Sequence, residues 1–64
     1  MPSMNAEISA TNGMMNAVLR LFGPVANAQA AETLVSGAKT VLTNNGYTIT
    51  NTAGTYSPDP TALS

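Results

Sequence analysis

"GMMNAVLRLFGPVANAQAAETL", residues 13–34, is the stretch on which the reading of the chain turns. As a secretory signal it offers an Ala28-Gln29-Ala30 cleavage pattern. It lacks a basic residue ahead of Met14, however, and Arg20, Gly23 and Pro24 interrupt the apolar run that such a segment needs. Continued to Leu42 as a membrane span, it would carry Arg20, Glu32 and Lys39 into the bilayer, at about 2.5–3.5 kcal/mol for each charge near the centre. Helical spacing fits better. Met14, Met15, Val18, Leu21, Phe22 and Val25 recur at intervals of three and four, with Asn16 and Arg20 on the other side and Asn12 placed as an N-cap.

A second helical pattern follows from Pro24, with Ala31, Leu34, Val35, Ala38, Val41 and Leu42 on its apolar face. Proline lacks an amide hydrogen and suits a first helical turn, so Gly23-Pro24 is either a corner between two helices or a kink in one. Asn44-Asn45-Gly46 is the stop, because Asn and Gly take the left-handed conformation that closes a helix.

The flanks are extended in character. Met4, Ala6, Ile8 and Ala10 alternate with Asn5, Glu7, Ser9 and Thr11, the period of two of a strand with one covered face, although Met4 over Ile8 also fits a helical turn. Beyond the stop, Gly46–Thr50 and Thr55–Ser57 form a short hairpin around a turn at Asn51–Gly54, with an irregular arm as the alternative. "SPDPTALS" carries two prolines and is an extended tail, one tied down by contact with another molecule. The predicted fold is therefore mainly α with short β, in a single small domain. It comprises an arm over 1–12, a kinked helix or two-helix unit over 13–43, a turn and β-hairpin over 44–57, and a tail over 58–64.

A chain of 64 residues buries only about 60% of the surface its unfolded form exposes, and such domains lean on disulfides, metals or partners. This one has no Cys and no His, which removes the usual means of the first two and leaves a partner. Its apolar residues are mostly Ala, Met, Val and Leu, with Phe22, Tyr47 and Tyr56 as the aromatics. Charged residues make up 8% of the chain against about 25% in ordinary domains, a surface suited to being covered by neighbours. Two basic residues and a net charge of −1 speak against nucleic acid as a partner.

Motifs for chemistry are weak. Ser36-Gly37-Ala38-Lys39 matches the S-x-x-K pattern of serine acyl-enzymes without the other motifs those enzymes need, and it lacks the order of a P-loop. Glu7, Glu32 and Asp59 are scattered over three segments, as solvated surface charges are. No enzyme, cofactor, metal or small-molecule ligand is expected. Met14, Val18 and Phe22 on the first helix are candidates for a partner interface. So are Gly23, Ala30 and Gly37, small residues at seven-residue spacing that would let another backbone approach closely.

These features point to a small structural protein of a virion or other extracellular assembly, such as a minor capsid, cement or tail protein of a virus or bacteriophage. Its partners would be larger structural subunits and copies of itself. A membrane-associated protein using Met14–Leu42 as a helical hairpin, pilin-like or lytic, is one alternative, and a small binding or regulatory module is another. The first of these lacks the basic face that interfacial helices carry.

Overall fold

The computed structural model describes residues 2–58 and 61–63. It corrects the predicted mainly α fold, since 52% is strand and 29% helix. Two strands, β1 (Ser3–Asn12) and β2 (Met15–Pro24), precede the helix α1 (Ala28–Asn44). A third long strand, β3 (Thr48–Ser57), and a two-residue strand, β4 (Thr61–Ala62), follow it. The strands lie in the order β2-β1-β3-β4, every adjacent pair antiparallel.

Gly13 overturns the first predicted helix. It takes φ +60 while Met14 does not have a positive φ, which is the two-residue type II′ turn that folds a hairpin. Asn12 pairs with Met15 across that turn and caps no helix. The register then runs without interruption from Asn12↔Met15 to Ser3↔Pro24. A Gly at the first central position between two apolar-rich segments is the hairpin signal of that turn type. It was masked because residues 14–25 are apolar at almost every position and satisfy a period of two as well as a spacing of three and four. Gly23-Pro24 is accordingly neither corner nor kink but the end of β2.

The helix starts four residues later than Pro24. Asn27, in extended conformation, accepts a 2.8 Å hydrogen bond at Oδ1 from the Ala30 amide, the standard N-cap. At the other end the predicted stop is where the helix ends. The Gly46 amide donates to the Thr43 carbonyl and the Tyr47 amide to that of Leu42, with Gly46 at φ +85, a Schellman closure. β3 then continues without a break, so the expected hairpin over 46–57 is absent. What looked like a turn around Asn51 is a β-bulge, where the register shifts between Ser9 and Ala10.

The alternation read in the N-terminal segment holds. Met4, Ala6, Ile8 and Ala10 are buried, and the first three share a core with the helix, whose inward face is Ala31, Val35, Ala38 and Leu42. Leu34 and Val41, expected on that face, are half exposed. Ile8 and Val35 are fully buried, and each such side chain contributes about 1.5–3 kcal/mol. The tail adds the last piece of the core. Leu63 is 3% exposed, and its amide donates to the Gly54 carbonyl at 2.9 Å. The part of the expected tail at Asp59, Pro60 and Ser64 lies outside the described residues.

Candidate assembly surface

One helix covers one face of the sheet, and nothing among the described residues covers the other. The pleat sends Asn5, Glu7, Ser9 and Thr11 of β1 to that open face. The register places Asn16, Val18, Arg20 and Phe22 of β2 beside them, with Asn51, Ala53 and Thr55 of β3 on the far side. Glu7 and Arg20 are direct partners across the strands and form an ion pair, Nε to Oε2, at 3.1 Å. Around it the face is mostly Ser, Thr and Asn, with the small Ala53 on β3 and with Val18 and Phe22 standing 58% and 78% exposed on β2. At the turn Met14 is fully exposed.

The two edges of the sheet differ. On β3, β4 pairs with Thr55 and Tyr56, Leu63 bonds to Gly54, and the bulge distorts the rest, all devices that blunt an edge. β2 has none of them. It is ten residues long, pairs in unbroken register, has no proline before Pro24, and carries one charge, which Glu7 engages.

Which backbone groups β2 turns outward follows from the register. Residues flanking a two-residue hairpin loop exchange hydrogen bonds, and such pairs alternate along the ladder. Asn12↔Met15, Ala10↔Ala17, Ile8↔Leu19, Ala6↔Leu21 and Met4↔Gly23 are therefore bonded internally. The bond from the Val25 amide to the Pro2 carbonyl continues this parity at 3.1 Å. The amides and carbonyls of Asn16, Val18, Arg20 and Phe22 point away from the sheet, with no backbone partner among the described residues.

On the helix side, α1 lies chiefly over β1 and β3 and touches β2 least. A small open cleft of about 100 Å³ is left there, lined by Met4, Leu21, Phe22, Gly23, Pro24, Val25 and Leu34. Together with its thin, extended shape of 39 × 16 × 15 Å, this leaves 4153 Å² exposed, against roughly 3,800 Å² for a typical folded protein of 6.5 kDa.

The six residues singled out in the sequence do not form one surface. Val18 and Phe22 do share the open face of β2, two strand periods apart, although as strand residues and not helix residues. Met14 is at the hairpin tip, and Gly23 is in a strand at φ +137. Ala30 and Gly37 are on α1. The line of small residues is thus not a helical groove, and a Cβ added at Gly37 would meet nothing within 4 Å. Arg20, whose ion pair with Glu7 centres the open face, escaped the reading because the pair exists only once the hairpin is folded.

Other chemistry is sparse. Among the described residues no group of three or more His, Cys, Asp or Glu is placed to hold a metal. Ser36 is exposed, and its carbonyl accepts the Thr40 hydroxyl at 3.1 Å. No helix among the described residues is long and apolar enough to cross a membrane, and the helical hairpin over Met14–Leu42 is replaced by strand, turn and one helix. No protein-family model, curated protein or solved structure matches the chain.

Proposed function

We propose that this chain is a small structural subunit of a large assembly, a minor capsid, cement or tail protein of a virus or bacteriophage being the class that its composition resembles. Its work in that reading is burial: neighbouring subunits cover the open sheet face and the β2 edge. The observation that carries the reading is the uncapped ten-residue edge of β2 beside a Ser/Thr/Asn-rich face that bears Val18 and Phe22 and whose charges, Glu7 and Arg20, are paired with each other. An exposed edge with no blunting device is a template for another chain, and a freely diffusing domain normally protects it. The near absence of charge points the same way.

The test is the mass and copy number of the native complex, measured by native mass spectrometry of material purified from the source. Many copies of this chain in a symmetric particle are expected. A complex with one copy bound to one partner would replace the proposal with that of a binding module.

A further inference from the structure

The outward groups of β2 are not only unpaired but self-complementary. We propose that β2 pairs antiparallel with β2 of a second copy, about a twofold axis passing at Leu19. This deepens the assembly reading by naming one neighbour, and it rests on that reading only for its biological setting.

The register follows from which groups point outward and from what each choice of axis sets opposite them. Bonded pairs must join residues whose groups point outward, which are Asn16, Val18, Arg20 and Phe22, with Pro24 offering a carbonyl and no amide. With the axis at Leu19, Asn16 meets Phe22 and Val18 meets Arg20 of the second copy, and the reverse. All four residues are then saturated, two bonds at each of four pairings. Moving the axis to Arg20 sets Arg20 against its own copy and Asn16 against Pro24, adding a like-charge pair and losing amide donors. Moving it to Val18 sends Phe22 to Met14 at the turn, outside the strand.

Side chains agree with the same register. On the open face Phe22 lies diagonal to Val18 of the second copy, within reach of an aromatic ring. Arg20 sits beside an uncharged Val18 and keeps Glu7 as its own counter-ion at 3.1 Å, so the seam brings no like charges directly together. On the helix side Leu19 meets Leu19, and Leu21 meets Ala17, extending an apolar surface that the helix only half covers. The pairing joins two four-stranded sheets into one continuous sheet, with both helices on the same face.

Leu19 would form a non-hydrogen-bonded pair with itself across the axis, with Cα atoms about 4.5 Å apart, within disulfide range. The chain has no native cysteine, so single-cysteine variants report the register directly. Under mild oxidation Leu19→Cys should give a covalent dimer. Ala17→Cys alone should not, because its two copies would lie about 13 Å apart along the strands. An equimolar mixture of Ala17→Cys and Leu21→Cys should cross-link as the mixed dimer.

As an independent readout that leaves the packed face untouched, sedimentation of the unmodified chain should show a species of twice 6.5 kDa. Val18→Lys, at an exposed position, should return it to monomer with unchanged circular dichroism, because each new lysine faces Arg20 of the other copy. A chain that stays monomeric up to its solubility limit overturns the pairing. So does Leu19→Cys cross-linking no faster than Ala17→Cys, or Val18→Lys leaving the dimer intact. Any of those results leaves the copy-number test of the assembly reading to stand or fall separately.

Discussion

Gly54 stands directly opposite Ala6 across the β1–β3 pairing, and a Cβ built on it would lie 2.8 Å from the Ala6 Cβ and 2.9 Å from the Asn5 carbonyl oxygen. Both contacts are closer than atoms of this kind approach, and neither neighbour is a flexible side-chain end. Gly54 therefore sets how closely β3 packs on β1 and where Leu63, bonded to the Gly54 carbonyl, enters the core.

The first prediction follows from comparing Gly54 with Gly37. Gly54→Ala overpacks the strand pairing and should destabilise the protein by about 1–3 kcal/mol. Gly37→Ala fills open space on an exposed helical position and should stabilise it by up to about 1 kcal/mol. Denaturant midpoints of the two variants should move in opposite directions. Equal shifts would show that the two glycines occupy similar surroundings, contrary to the geometry.

Leu63 tests whether the C-terminal segment belongs to the core. At 3% exposure among Met4, Ala6, Ile8, Ala31 and Val35, its truncation in Leu63→Ala should cost about 2–5 kcal/mol. Thermal unfolding of that variant should begin well below that of the unmodified chain. An unchanged transition would place Leu63 outside the core.

Asn27 tests where the helix begins. Asn27→Ala removes the acceptor for the Ala30 amide and should cost about 0.5–2 kcal/mol, whereas Asn27→Asp keeps an acceptor and should be close to neutral. Asn12→Ala, at the residue first read as the cap, should leave helix content unchanged by circular dichroism.

The Glu7–Arg20 pair is exposed on both sides, with 47% and 70% of the two side chains open to solvent. Exposed pairs contribute at most about 1 kcal/mol and are screened by salt. A double-mutant cycle of Glu7→Gln and Arg20→Gln should give a coupling in that range at low ionic strength, falling towards zero in molar salt. A coupling that is large and insensitive to salt would require the open face to be covered.

Local chemistry alone determined several features. The alternation of Met4, Ala6, Ile8 and Ala10 defined a strand with one buried face because the side-chain period of an extended chain is two. Asn44-Asn45-Gly46 ended the helix because its backbone must turn left-handed there, and that requirement involves no distant residue. Helical spacing likewise placed Ala31, Val35, Ala38 and Leu42 inward, but it placed Leu34 and Val41 there as well, and packing leaves those two half exposed. The shortage of charge and of cross-linking residues was equally plain from composition.

Tertiary structure decided the remainder. Residues 14–25 are apolar on both faces of either element, so their periodicity does not choose between helix and strand. The choice comes from β1, whose backbone groups need a partner and whose Asn12-Gly13 end turns the chain back onto it. Thr48–Ser57 became one strand because β1 offers a second edge along its whole length, and a bulge absorbs the mismatch that read as a turn. Leu63 packs against Met4, Ala6, Ile8, Ala31 and Val35, residues that only the folded chain brings together. Long-range pairing supplies hydrogen bonds and burial that no window of neighbouring residues contains. The open face and the unpaired β2 edge, on which the proposed function rests, exist only once that pairing is complete.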